Sequence, residues 1–217
     1  MVNNMRSRFD EQLELLNSKM TEMGDECEKI IALSVQALLE GDKNKAAKAR
    51  EDGIKIDQME REIESICLKL LLQQQPVAKD LRVISAALKM ITDMERIGDQ
   101  AEDIAEIITF LNGRTGEECH DIRLMAEATI KMVNDSIDAY VKRDVNLAKA
   151  VEDYDDVVDE AFLRVKKTLI SMIAENSADG EYAIDLLMIA KYFERIGDHA
   201  VNVAEWVEFS VTGIHKG

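Results

Sequence analysis

Apolar residues recur at three- and four-residue steps along nearly the whole chain. The first stripe runs from Phe9 through Leu13, Leu16, Met20 and Met23, and this spacing places its members on one face of an α-helix. The same period returns in later segments, which are separated by short stretches rich in Gly, Asp and Asn. The pattern therefore predicts an all-α protein built from long helices.

The breaks between the predicted helices divide the chain into two similar halves. The segment "NGRTGEE" at 112–118 has two glycines and no apolar residue, which is typical of a loop. In each half a shorter break precedes the second helix, where Asp42 and Asp144 are placed to cap it. Pro76 is expected in the first turn of the third helix, where a missing N–H costs nothing. We predict three helices in residues 1–111, a linker at 112–117 and three helices in 118–217.

The two halves carry a repeated acidic motif. "MERIGDQAEDIAE" begins at Met94 and "FERIGDHAVNVAE" begins at Phe193, and eight of the thirteen positions are identical. The second copy of the motif begins 99 residues after the first, whereas Asp159 lies 102 residues after its equivalent, Asp57. The loop between these positions is therefore three residues shorter in the second half. A duplicated unit with one change in a loop explains both offsets. Because short loops force antiparallel neighbours, the expected fold is two tandem, sequence-related three-helix bundles.

The motif places several carboxylates on one face of its helix. At about 100° per residue, Asp99 lies about 40° and Asp103 about 80° from Glu95 around the axis. The apolar residues of the preceding turns, from Leu81 to Ile91, are predicted on the same face, so that an apolar seam continues as an acidic one. Carboxylates four residues apart repel each other, and a bound cation would remove that repulsion.

We therefore predict one metal-binding patch in each half. Carboxylates on the helices of a bundle can hold metal ions. Gly98 and Gly197, in mid-helix, indicate close packing against the second helix of each half, which carries further aspartates. The alternative is a solvated acidic face without metal. The candidate ligands are Asp57, Glu95, Asp99 and Asp103 in the first half, and Asp155, Asp159, Glu194, Asp198 and Asn202 in the second.

Charge and composition narrow the classes of partner. The formal net charge is −16, which disfavours nucleic acid and anionic membranes as direct partners. No run of about 18 uncharged apolar residues is present, so a membrane span is not expected. The three cysteines form no C-x-x-C pair, which is typical of a protein in a reducing cytoplasm.

Signals of catalysis are weak. Carboxylate-bridged di-metal enzymes on helical bundles usually carry a pair of Glu-x-x-His motifs, and no such pair occurs. The phosphate-binding pattern G-x-x-x-x-G-K-[ST] is also absent from the sequence. We expect a protein that is not an enzyme, with a di-metal enzyme as the less favoured alternative.

The sequence resembles the PhoU family, bacterial regulators of phosphate uptake. The resemblance rests on "QQQPVAKDLRVISAALKMITDMERIGDQAEDIAE", on "IAKYFERIGDHAVNVAEWV" and on the acidic stretch from Asp155 to Glu160. It implies two three-helix bundles and E(D)-x-x-x-D motifs that hold multinuclear iron or zinc clusters in some members. Magnesium, manganese and calcium are the alternative metals. Two departures from the family pattern bear on the metal: Gly53 stands at the position equivalent to Asp155, and Asn202 interrupts the second motif.

The resemblance also implies an adaptor without catalysis. Such a protein connects the phosphate ABC transporter ATPase to a sensor histidine kinase and acts as a negative regulator of the phosphate-starvation response when phosphate is plentiful. It is expected to be a cytoplasmic homodimer, to bind no nucleic acid and to reach the inner face of the membrane only through its partners. A structural helical scaffold without metal is the alternative.

Overall fold

The computed structural model describes residues 2–73 and 77–214, which form six α-helices and two short 3-10 turns. No β-strand occurs within these two ranges. The all-α prediction is confirmed, whereas the predicted place of Pro76 lies outside the described residues. The helices are α1 Val2–Glu40, α2 Lys43–Gln73, α3 Ala78–Ile108, α4 His120–Lys142, α5 Val145–Glu175 and α6 Gly180–Thr212, and the 3-10 turns are Gly116–Glu118 and Ser177–Asp179.

The starts of α2 and α5 are built in the same way. The Asp42 carboxylate accepts hydrogen bonds from the backbone N–H groups two and three residues on, at 2.8 and 3.2 Å. Asp144 repeats this arrangement at 2.9 and 3.1 Å. Both predicted caps are thus confirmed. The residues before them, Gly41 and Arg143, have φ of 67° and 53°, a left-handed conformation that ends the preceding helix.

Helix α3 ends at Ile108, three residues before the predicted end of the first half at Leu111. The Thr109 N–H donates to the carbonyl oxygen of Glu106 and the Phe110 N–H donates to that of Ile107, and Asn112 and Gly113 have φ of 52° and 82°. These left-handed residues turn the chain away from the helix direction. Ile108 is therefore the last helical residue instead of Leu111.

The three helices of each half pack together, and the two halves also pack on each other. Helix α3 lies against α6 and α1 lies against α4. One cluster of buried apolar side chains runs through all six helices, and Phe193 is among its largest fully buried members. Because this core is shared, the division into 1–111, 112–117 and 118–217 stays a prediction. Within the described ranges, no helix is long and apolar enough to cross a membrane.

Candidate metal centres

Both motif helices approach the second helix of their own bundle at a glycine. A Cβ added to Gly98 would lie 2.8 Å from Cδ1 of Ile56 on α2. A Cβ added to Gly197 would lie 3.2 Å from Oδ1 of Asp155 on α5. The predicted close packing of the motif helices against the second helices is confirmed. The carboxylates of the two neighbouring helices consequently share one groove in each bundle.

The first groove brings together three of the predicted ligands. One carboxylate oxygen each from Asp57 on α2 and from Glu95 and Asp99 on α3 lies within 4.8 Å of the other two. Oxygen ligands lie about 2.0–2.6 Å from common hard cations, so two oxygens across an ion lie up to about 5 Å apart. The three oxygens therefore fit around one ion. All three side chains are half-buried.

Negative charge is concentrated in this groove. Burial raises the pKa of Glu102 to about 7, and the carboxylates of Asp99 and Asp57 add to the shift. Burial and Asp99 likewise raise the pKa of Glu95. Arg96 relieves part of the charge through contacts at 3.1 Å with Asp99 and 3.4 Å with Glu95. A cation bound among these oxygens would relieve more of it.

In the second groove the charges of Asp159, Asp198 and Glu194 act on Asp155, but among the described residues these four carboxylates supply no three oxygens within 4.8 Å of one another. The pKa of Asp155 is raised to about 6, mainly by burial and further by the negative charges of Asp159, Asp198 and Glu194. Burial and Glu194 also raise the pKa of Asp198. Asp159 and Asp198 are exposed, whereas the other two are half-buried. Lys191 forms an ion pair with Glu194. This patch is more open to water than the first.

Two predicted ligands take part in the contact between the bundles. Asp103 on α3 and Tyr192 on α6 interact with each other between the bundles. Asn202 on α6 donates one to Asp93 on α3 over 2.9 Å, and His199 lies 2.9 Å from the same oxygen. Asp103 and Asn202 are equivalent positions 99 residues apart, as are Asp93 and Tyr192. These side chains connect the two bundles, and their role as metal ligands stays a prediction.

Glu102 is a groove residue that sequence reasoning left out of the ligand set. A Cβ added to Gly53 would lie 1.6 Å from Oε1 of Glu102, so this carboxylate fills the space above the glycine. A comparison of the two halves of the sequence indicates this role for Glu102, because Gly53 is equivalent to Asp155 and Glu102 is equivalent to Val201.

The apolar seam that leads into the acidic face is covered along most of its length and open at its first member. Ile84 and Ile91 are buried, Leu88 is half-buried, but Leu81 is 47% exposed. Leu81 lies on the first turn of α3, which begins at Ala78, at the end of the bundle.

The repeat seen in the helices is also a repeat of a known domain. The family model described as the PhoU domain matches residues 20–108 and again residues 122–207. Each match contains one acidic motif and one groove. The chain belongs to the PhoU family. The resemblance noted from the motifs is thereby confirmed.

Full-length PhoU relatives agree with this assignment. A protein from Clostridium acetobutylicum, named phosphate-specific transport system accessory protein PhoU homolog, is 38% identical over 213 residues, which covers 96% of each chain. A Pseudomonas aeruginosa protein of the same name is 33% identical over 215 residues, covering 98% of this chain and 89% of the relative. The similarity therefore extends over both bundles.

Solved PhoU structures show the same arrangement of helices. The crystal structure of PhoU from Pseudomonas aeruginosa superposes with a TM-score of 0.91 at 34% identity, covering 95% of this chain and 100% of that one. PhoU from Streptococcus pneumoniae gives a TM-score of 0.88 at 23% identity, over 96% and 99% of the two chains. The second match supports the fold alone. Two tandem three-helix bundles are thus the fold of this PhoU chain.

Neutralising Glu102 is expected to stabilise the metal-free PhoU chain at pH 8 but not at pH 4.5. A pKa raised from 4.5 to about 7 means that the folded chain holds this proton more tightly than the unfolded chain. The resulting stability is complete below pH 4.5 and is lost as the pH rises through about 7. Water screens the half-buried carboxyl, so Glu102→Gln should recover about 1 kcal/mol at pH 8, or about 2–4 °C in Tm.

Thermal unfolding followed by circular dichroism at the two pH values measures this difference. Glu106→Gln is the matched control, because Glu106 is one turn further along α3 and its side chain is 51% exposed. A gain in Tm for Glu102→Gln that is equal at both pH values would contradict the electrostatic explanation.

Proposed function

We propose that this chain is an accessory regulator of phosphate uptake. The observation that carries the proposal is the full-length similarity to proteins named phosphate-specific transport system accessory proteins, 38% identical in the case of Clostridium acetobutylicum. This name describes an accessory protein of a phosphate transport system. A role without catalysis agrees with the sequence, which has no phosphate-binding loop.

In this proposal the chain acts in the cytoplasm as an adaptor between proteins. It contacts the phosphate ABC transporter ATPase and a sensor histidine kinase, works as a homodimer and holds the phosphate-starvation response off when phosphate is plentiful. Six helices of 23 to 39 residues provide a long surface for such contacts. The net charge of −16 disfavours direct action at promoters, because DNA binding requires a basic face.

The proposal includes one metal-binding patch in each bundle. Asp57, Glu95 and Asp99 would hold an ion in the first, and the carboxylates around Asp155 would hold one in the second. The support is the approach of three carboxylate oxygens within 4.8 Å in the first groove, together with the burial and the repulsion between carboxylates that raise the pKa values of Glu102 and Asp155. The bound ion supplies positive charge that links two neighbouring helices.

The donor set consists of carboxylates, which suit hard cations. Iron and zinc are proposed because the family resemblance implies them, and magnesium, manganese and calcium are the alternatives that the carboxylates suit. A scaffold without metal is the competing interpretation. Metal content separates the two, since a scaffold would be purified without bound ions and would not change in stability when metal is added.

Deleting the gene is expected to leave phosphate-starvation genes switched on in phosphate-rich medium. The reason is that the sensor kinase would lose the adaptor that reports on the transporter. Transcript levels in the deletion strain, the parent and a strain complemented with the intact gene give the measurement. Normal repression in the deletion strain would reject the regulatory role, and tight, salt-sensitive binding of the purified chain to promoter DNA would reject the adaptor mechanism.

A further inference from the structure

The structure assigns to Glu102 the ligand position in the first patch that Asp155 holds in the second, so we propose that Glu102 is a metal ligand. This inference rests on the proposed metal-binding function. It concerns the point at which the chain departs from its own repeat, where Gly53 leaves α2 without the carboxylate that α5 supplies.

The two halves have exchanged a carboxylate between neighbouring helices. The second bundle has Asp155 on its second helix and Val201 on its third, whereas the first bundle has Gly53 and Glu102 at the equivalent positions, 102 and 99 residues earlier. Each bundle thus keeps one carboxylate for this pair of positions. In the second bundle this carboxylate belongs to Asp155, and in the first it belongs to the longer side chain of Glu102.

The Glu102 carboxylate lies where the side chain of an aspartate at position 53 would be. A Cβ built on Gly53 would lie 1.6 Å from Oε1 and 2.2 Å from Cδ of Glu102. Since the carboxylate of an aspartate begins one bond beyond its Cβ, Glu102 occupies nearly the volume that an aspartate at position 53 would fill. Gly53 is buried, so its missing side chain makes room for a carboxylate within the groove.

The charged surroundings of the two carboxylates also correspond. Glu102 lies near Asp99 and Asp57, and Asp155 lies near Asp198 and Asp159. Asp99 and Asp198 are equivalent at the 99-residue offset, and Asp57 and Asp159 are equivalent at the 102-residue offset. Glu102 therefore lies near the counterparts of two carboxylates that act on Asp155, whereas Glu194 acts only on Asp155 of the two and Arg50 acts only on Glu102.

The test measures manganese(II) binding by the full-length chain, using the loss of the electron paramagnetic resonance signal of the free ion. All proteins carry Asp198→Ala, which removes a carboxylate from the second patch so that the first patch dominates the titration. Glu102→Gln is expected to weaken binding at least about tenfold, a loss in the range found for altered metal sites. Glu106→Gln, which removes the same charge from an exposed position, is expected to bind within about twofold of the parent.

The exchange variant Gly53→Asp/Glu102→Val separates a ligand from a side chain that only fills space. It gives the first patch the layout of the second and is expected to bind manganese(II) within about threefold of the parent. A parent-like affinity of Glu102→Gln would overturn the assignment of Glu102 and leave the metal patch standing. Absence of binding by the wild-type chain would overturn both. If the exchange variant does not fold, as judged by circular dichroism, the result for Glu102→Gln decides alone.

Discussion

Replacing Asp99 and Asp198 together by alanine is expected to abolish metal uptake by the chain. Asp99 supplies one of the three oxygens that lie within 4.8 Å of one another in the first groove, and Asp198 is its equivalent in the second. An ion held by two remaining carboxylates on one side loses a large part of the charge that binds it. Elemental analysis of protein purified without chelators or a histidine tag gives the stoichiometry.

The matched control is Glu14→Ala/Glu127→Ala. Both residues are exposed and lie on α1 and α4, which carry no candidate ligand, while the change in net charge is the same. This control should keep the metal content of the wild-type chain. Unchanged stoichiometry in the Asp99→Ala/Asp198→Ala variant would exclude the two patches as the metal sites.

Stability provides a second measurement for the same variant. In the metal-free chain, removal of a carboxylate from a crowded acidic groove relieves repulsion, so Tm should not fall. Added metal should raise the Tm of the wild-type chain, because the ion binds the folded state alone, and should leave that of the variant unchanged. A metal-independent fall in Tm would instead indicate that these aspartates serve only the fold.

The sequence was sufficient for the helices and their caps because those depend on neighbours in the chain. The apolar period defined the helices, and Asp42 and Asp144 bond to N–H groups two and three residues away. The glycines were equally informative. Gly98 and Gly197 in mid-helix indicated a close neighbour, and they lie against α2 and α5.

The direction of individual side chains depends on contacts between distant helices, which a helical wheel does not contain. The wheel gives Asp103 and Asn202 an angle close to the motif acids, but α6 and α3 pack together and draw these residues to Tyr192 and Asp93. The same limit applies to Glu102. Its place above Gly53 depends on how far α3 lies from α2, which is a property of the packed bundle.

The fully buried Phe193 is the point where we expect the fold to be most sensitive. Phe193 opens the second acidic motif and has no exposed surface, on a helix that packs against α3, α4 and α5. Phe193→Ala removes the ring from a close-packed core and should lower the free energy of unfolding by about 3–5 kcal/mol. Phe110→Ala is the control, because Phe110 is 61% exposed and should change stability by no more than about 0.5 kcal/mol.

Urea unfolding followed by circular dichroism measures this loss, and fluorescence of Trp206, the single tryptophan, reports on α6 itself. The two probes should unfold together, because one core joins all six helices. A loss below about 1 kcal/mol would contradict tight packing around the ring. A transition of α6 that precedes the loss of total helix would show that the bundles unfold separately. Since Glu194 and Asp198 follow Phe193 on the same helix, the core beneath them determines how firmly the second patch is held.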